Sequence, residues 1–330
     1  MKKTSHSNTI SRKSIILGLL FGFIIILGII VIGDIKRTSE VILNFKWHLF
    51  PLALLFTLLN YFLRFIKWQY YVHSISGCKI SLKESLRIFV AGFPLAVTPG
   101  KIGDAFKGIW LKQLCELPVG QGISIVAAER ISDGFAVLFL SIFGVFAYPQ
   151  YWPGFLAILF ILLLIVVIFQ DRHLVLFLIS IGERISIINK FIPGMKNFYE
   201  GSHKLFQPKP TLLSISIGMV AWLGEGVAFF IILLGLAIPP SIDLLLNAVF
   251  VLAFATILGA VSALPGGLGV AELSIAALLS LTLTVDSSTT AAATLLIRFA
   301  TLWFGVLSGL LIWSISPHLF DLEKKYEKAT

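Results

Sequence analysis

Several arginines and carboxylates of this chain stand where the surrounding sequence has no other charge. Arg130 lies in Glu129-Arg130-Ile-Ser-Asp133, with charge-free stretches on both sides. Arg298 is the only charge between Ser287 and Phe320, and Glu225 is the only charge between Pro210 and Ile242. Two glycine-rich breaks carry the rest. Pro99-Gly100-Lys101-Ile-Gly103 runs into Asp104 and Lys107, and Pro265-Gly266-Gly267-Leu-Gly269 runs into Glu272. An arginine fork donates two hydrogen bonds at once and so suits a phosphate. Helices starting after Gly103 and Gly269 would add amide donors and positive dipole ends. The carboxylates would then balance the cations or hold a cationic headgroup. A purely structural role is the alternative: Arg–Glu pairs that lock helices together. Glu129 and Asp133 share a helix face, and Arg130 and Asp133, three apart, are within reach of one another.

The composition says what surrounds these charges. The chain has 330 residues, 57% of them hydrophobic and 13% charged. Ordinary soluble domains have roughly 45–50% and about 25%. A soluble enzyme, a disordered chain, a collagen-like chain and a nucleic-acid-binding domain are excluded. The net charge of +9 needs no polyanionic partner. Lys and Arg clustered between long apolar runs give the same balance under the positive-inside rule. Cys78 and Cys115 cannot form a disulfide framework and are expected to be reduced thiols.

The sequence therefore predicts an all-α, polytopic membrane bundle. A span needs about 20 apolar residues to cross about 30 Å of hydrocarbon. Six clear stretches qualify: 15–33, 48–66, 134–170, 211–236, 244–262 and 289–314. The third is broken by Tyr148-Pro-Gln-Tyr-Trp-Pro153, which reads as an interfacial turn between two spans. The first is too long for a signal-peptide core of roughly 7–15 residues and reads as an uncleaved helix. The glycine breaks predict two broken or re-entrant hairpins, over 82–117 and 244–285. That brings the total to about eight to ten membrane segments. Freed backbone groups survive at such depth only inside protein or beside a water-filled cavity.

The chain also repeats. Pro99-Gly100-x-x-Gly103 recurs 166 residues later as Pro265-Gly266-x-x-Gly269. The same offset moves span 48–66 into 211–236 and brings Arg130 close to Arg298. Counting Lys and Arg gives 17 on one side and 3 on the other, which puts both termini in the cytoplasm. The corresponding spans then run in opposite directions. Inverted repeats of this kind place the site of secondary transporters at the repeat interface. The expected organisation is a cytoplasmic tail 1–14, one transmembrane domain 15–316 and a cytoplasmic tail 317–330. Within the domain, repeats over about 48–147 and 211–315 flank a cytoplasmic loop 171–210. That loop reads either as an amphipathic helix on the anionic leaflet or as a solvated connection. Gly18-x-x-x-Gly22 and Gly305-x-x-x-Gly309 read as candidate helix-pairing motifs, and Trp222, Trp303 and Trp313 as packing residues.

Other chemistries are missing from the sequence. The six histidines are dispersed, and no zinc or nucleophile-elbow motif occurs. Gly100-Lys101 lacks the first glycine and the hydroxyl of a P-loop. No cofactor, metal or nucleic-acid partner is expected.

Taken together, Thr98-Pro-Gly-Lys-Ile-Gly-Asp104, Ala128-Glu-Arg-Ile-Ser-Asp133, Trp222-x-x-Glu225 and Leu264-Pro-Gly-Gly-Leu-Gly-Val-x-Glu272 with Arg298 resemble the lysylphosphatidylglycerol synthase transmembrane-region family. The resemblance covers roughly 45–315 and implies a flippase-like domain that handles phospholipid or polyprenyl-phosphate headgroups. It places Glu129, Arg130, Asp133, Glu225, Glu272 and Arg298 at motif positions. Asp104 stands where Glu is expected, and Lys107 where Arg is more common. The soluble lysyltransferase domain of the bifunctional members has no counterpart here, so an enzyme is not expected. The expectation is a lipid translocase in the cell membrane with membrane lipids as partners. A membrane-embedded transferase, or a partner subunit of a separate lipid synthase or glycosyltransferase, is the alternative.

Overall fold

The computed structural model describes residues 12–76, 79–98 and 103–316, and every described element is helical. Pro99, Gly100 and Lys101 lie outside the described residues, as do the two tails assigned to 1–11 and 317–330.

Helix α1 (Arg12–Ile32) leads into the short amphipathic α2 (Ile35–Leu43). Asp34 caps α2 by accepting from the amides of Lys36 and Arg37. Helix α3 (Phe50–Ser76) has 27 residues and reaches about 40 Å at roughly 1.5 Å per residue. It is ten residues longer at its C-terminal end than the apolar run that ends at Ile66. Arg64 and Lys67 therefore lie inside the bundle, not at its edge. The first break is built from two short pieces, α4 (Leu82–Ala91) with a 3-10 turn over Phe93–Val97, and α5 (Phe106–Cys115). At ten residues each, α4 and α5 are about 15 Å long, half a hydrocarbon thickness. Cys115 is disulfide-bonded, where a reduced thiol was expected; Cys78 lies outside the described residues.

Helix α6 (Val119–Ala147) starts well before the charge-free run at 134. Glu129, Arg130 and Asp133 consequently sit in mid-helix. A 3-10 turn over Pro149–Tyr151 separates α6 from α7 (Trp152–Gln170), as the prolines required. Helix α7 buries only Phe155 and Val166 and turns the rest of its apolar surface outward, as a lipid-facing helix does.

The segment 171–210 folds as α8 (Arg172–Glu183), α9 (Ser186–Asn189) and α10 (Ile192–Leu205). Helix α8 buries Val175, Ile179 and Gly182 and exposes Leu174, Phe177, Leu178 and Ile181. Helix α10 packs along α6, with Gly120 and Gly201 at the contact. The solvated-connection reading is thus replaced by packed amphipathic helices.

The second half comprises α11 (Pro208–Gly235), α12 (Ile242–Val261), α13 (Val270–Thr282), α14 (Ser287–Arg298) and α15 (Phe304–Ile315). The second break is a turn over Pro265–Gly267. Here α12 is a full 20-residue span, in line with the apolar run 244–262, and the break follows its end. A π-helical turn over Phe299–Trp303 joins α14 to α15 without a break.

Helices α3 and α11 form the largest helix–helix contact of the bundle. They run antiparallel: Lys46 N–H donates to Gly235 O before the start of α3, Gly224 faces Phe56, and Arg64 lies beside Trp222. Among the described residues, six helical stretches are long and apolar enough to cross a membrane: Trp47–Ile75, Pro149–Gln170, Pro208–Gly235, Ile242–Val261, Pro265–Thr282 and Ser287–Ile315. Both small-residue pairs serve contacts within the chain. Gly18 abuts Val97 and Gly22 abuts Trp303, while Gly305 and Gly309 abut Tyr61 and Pro94.

Helices α5 and α6 cross backbone to backbone at Gly108 and Gly122. A Cβ on Gly122 would come within 2.4 Å of the Gly108 backbone. Gly122→Ala is therefore expected to lower the melting temperature of the detergent-solubilised protein by several degrees, since overpacking costs roughly 1–3 kcal/mol. Gly154→Ala, which adds a methyl into open space, is the control and should melt at or slightly above the parent. Equal melting of the two variants would contradict the crossing.

Candidate functional site

The two breaks present equivalent ion pairs. Asp104 follows the first break and binds Arg130 on α6. Glu272 follows the second and accepts from Arg298 Nε at 2.5 Å on α14. Acid and base are 26 residues apart in both cases. Arg298 Nη2 also donates to Gly266 O at 3.2 Å, and Glu272 Oε2 accepts from Gly269 N–H at 2.6 Å. Glu272 thus caps α13 and anchors the arginine together. The turn needs glycine at 267, where φ is +67° and a Cβ would meet Gly259 at 2.9 Å. The first break is tied differently: Gly103 N–H donates to Thr98 Oγ1 at 3.0 Å, and Thr98 Oγ1 donates to Leu95 O.

The first half holds further pairs. Lys107 Nζ lies 3.3 Å from Glu129 Oε2 and 5.1 Å from the ring centre of Trp68. Asp133 binds Lys67 and also Arg64, the latter at 3.3 Å. Lys67 is fully buried and donates a second bond to Ser132 Oγ at 3.1 Å. The sequence-level contact between Arg130 and Asp133 is not the one made. Each turns instead to a partner on another element, because α6 presents its charges on different faces to α3, α5 and the first break.

The charged ends converge on a cavity of about 150 Å³ between the halves. Arg64, Lys107, Arg130 and Arg298 line it with a single carboxylate, Glu225. Tyr61 and Trp222 complete the polar wall, and Arg64 lies over the Trp222 ring at 5.8 Å. Glu225 makes no hydrogen bond or ion pair with any described residue, but lies in the field of Arg64, Asp133 and Arg298. A second cavity of about 400 Å³ is almost wholly apolar and reaches from α1 to the Glu272–Arg298 pair. Arg298 therefore borders both cavities.

Of the residues singled out in the sequence, Lys107, Arg130, Glu225 and Arg298 line the polar cavity. Asp104, Glu129, Asp133 and Glu272 stand behind it as partners of its cations. Of the break residues, Gly266 and Gly267 line it, while Pro265, Gly269 and Gly103 shape the turns. Lys101 lies outside the described residues. Sequence reasoning missed Arg64, Lys67 and Tyr61. The available signal was a pair of cations three apart in helical register with Tyr61, read as the end of a span. Trp222 is a cavity wall more than a packing residue, whereas Trp313 Nε1 donates to Ala91 O at 2.8 Å. Among the described residues, no three His, Cys, Asp or Glu form a metal-ligating group.

Comparison with known proteins gives the family of the chain. The model of the lysylphosphatidylglycerol synthase TM region matches residues 15–309, and the chain belongs to that family. It is similar to two proteins of Methanocaldococcus jannaschii. One, the UPF0104 membrane protein MJ1078, is 28% identical, covering 71% of this chain and 98% of its own length. The other, the UPF0104 membrane protein MJ1595, is 24% identical, covering 94% of this chain and 97% of its own. The chain is thus a multi-pass membrane protein related to the membrane part of a lipid-synthesising system.

Removing one partner of a buried ion pair costs about 3–5 kcal/mol, because the other charge is left uncompensated. Asp133→Asn is expected to reduce the yield of folded protein sharply, since Lys67 and Arg64 both depend on it. Lys67→Met and Arg64→Met combined with Asp133→Leu should recover most of that yield. Size-exclusion profiles of the three proteins test this, and a folded Asp133→Asn protein at parental yield would refute it.

Proposed function

We propose that the protein is a lipid translocase that moves a phosphate-containing headgroup across the bilayer, such as that of an aminoacylated phospholipid or a polyprenyl phosphate. The observation that carries this reading is the polar cavity between the halves, with four cations on its wall and Arg130 and Arg298 in equivalent positions. A wall of that composition suits an anionic headgroup. The arginine forks supply paired donors to phosphate oxygens. The apolar cavity that meets the polar one at Arg298 gives an alkyl chain a place beside the headgroup. The antiparallel course of α3 and α11 fits the inverted arrangement found in secondary transporters. Lys/Arg asymmetry favours cytoplasmic termini in the plasma membrane. With no nucleotide-binding motif, the driving force is a gradient or mass action.

Reconstituted proteoliposomes test this. The readout is translocation of fluorescent phosphatidylglycerol, its lysyl derivative and a polyprenyl phosphate. Arg130 and Arg298 each hold a buried acid, so charge-neutral variants avoid stranding it: Asp104→Asn with Arg130→Gln, and Glu272→Gln with Arg298→Gln. Loss of a charge-assisted bond costs about 1.5–3 kcal/mol, so each variant is expected to slow translocation roughly 10–100-fold while remaining folded. Full-rate transport by both variants would sink the mechanism. Failure of the folded parent to move any of the three lipids would sink the translocase reading itself.

A further inference from the structure

The buried charges of the site have a balance that singles out Glu225. Among the described residues, the acids are Asp104, Glu129, Asp133, Glu225 and Glu272. The bases are Arg64, Lys67, Lys107, Arg130 and Arg298. Four of the acids are held by these five bases, with Asp133 taking both Arg64 and Lys67. Glu225 alone has no partner, although it is only 5% exposed. With all ten of these described groups ionised, their charges cancel. Entry of a phosphodiester monoanion then leaves one uncompensated negative charge inside the bundle, which is costly in a low-dielectric setting.

We infer that Glu225 is the proton-binding group that accompanies an anionic lipid headgroup into the cavity. The carboxylate takes one proton from water as the phosphate settles against the cations, and returns it when the phosphate leaves. The occupied site then has the same net charge as the empty one. This rests on the translocase reading and deepens it, because it makes translocation of an anionic lipid a proton-linked, electroneutral event.

The surroundings of Glu225 fit this role. Gly224 and Gly226 flank it on α11 and face α3 and α12. From α3, Arg64 and Tyr61 face the carboxylate. From α6 comes Asp133, with Arg130 on the same cavity wall, and from α14 comes Arg298. Helix α12 contributes Leu252, Thr256, Gly259 and Ala260 to the cavity, none of them ionisable. His48 lies in the Trp47–Leu49 turn, near the far end of α11. The cations near Glu225 are those that a phosphate would also use. A phosphate and an ionised Glu225 therefore compete for the same positive field, and protonation removes the competition.

The test measures proton uptake with a pH-indicator dye in weakly buffered detergent solution, as phosphatidylglycerol binds to the full chain. The expected result is close to one proton per bound lipid. By linkage, affinity should rise as pH falls, by up to tenfold per pH unit where Glu225 titrates. Glu225→Gln should take up none and lose this pH dependence, whereas Glu225→Asp should retain proton uptake. Lysyl-phosphatidylglycerol, which carries its own ammonium groups, should bind without uptake. Water-soluble glycerophosphoglycerol, added alone, separates a lipid site from a site for the free headgroup, since only the latter would give uptake with it. Binding of phosphatidylglycerol without proton uptake by the parent would overturn the inference and leave the translocase reading standing. Equal uptake with both lipids, or undiminished uptake by a folded Glu225→Gln protein, would also overturn it. Failure to translocate any lipid in the proteoliposome assay would instead remove the reading on which it rests.

Discussion

Charge compensation inside a low-dielectric bundle is the constraint on which the rest of this structure depends. An unpaired charge at the bilayer centre costs roughly 2.5–3.5 kcal/mol on insertion scales, and folded proteins are stable by only about 5–15 kcal/mol. The described bundle holds ten such charges, so their pairing dictates how the helices dock. Asp133 fixes α3 against α6 through Lys67 and Arg64. Glu129 fixes α5 against α6 through Lys107. Arg130 and Arg298 tie the two breaks to the helices that follow them. Apolar surface is similar everywhere along these helices and does not choose between registers. A buried ion pair does, because a slip of one turn strands both partners.

The two halves use the same device unequally. Shifting Asp104 and Arg130 by 168 residues gives Glu272 and Arg298. The same shift turns Lys107 into Ile275, Glu129 into Ile297 and Asp133 into Thr301. The second half thus keeps one ion-paired carboxylate at the site where the first has three. Its remaining buried charge among the described residues, Glu225, lies on α11 and lines the shared cavity. The result is a cavity with one strongly charged wall and one sparsely charged wall, and the apolar cavity lies on the sparse side, at Arg298. A lipid has the same asymmetry of headgroup and chain.

Much of this was legible in the sequence, for identifiable reasons. Apolar runs broken by Pro and Gly located the helices, because backbone groups at membrane depth must be satisfied internally. Isolated charges located the site, because such charges are expensive. What was not legible is the pairing. Spacing three apart put Arg130 beside Asp133, yet both found partners on other elements, and single-helix geometry carries no information on those. The ends of α3 and α6 were misplaced for a related reason. A span was taken to stop at its first charge, and that rule fails where the charge is neutralised across the bundle. Arg64 and Lys67 were lost from the candidate site by that step, and α6 was started too late.

Each ion pair of the site joins residues that both lie within 48–147 or both within 211–315. Between these stretches the polar contacts of the described residues include the Arg64 guanidinium over the Trp222 ring and two hydrogen bonds to backbone carbonyls. Tyr61 donates to Thr301 O at 2.6 Å, and Trp313 donates to Ala91 O at 2.8 Å. The rest of that interface is small-residue and apolar packing, with Gly144 against Phe250 and Gly309 against Pro94. A net hydrogen bond is worth about 1 kcal/mol, whereas stranding one partner of a buried ion pair costs about 3–5 kcal/mol. Moving one half relative to the other therefore leaves every ion pair of the site intact, and what it must rearrange is the packing between the halves, above all that of α3 against α11. In a translocase this division has a consequence for Glu225. This carboxylate of the second half lies in the field of a cation of the first half, Arg64. Its charge state then bears on how strongly the two halves attract one another across the cavity, and so on the movement that carries a headgroup through.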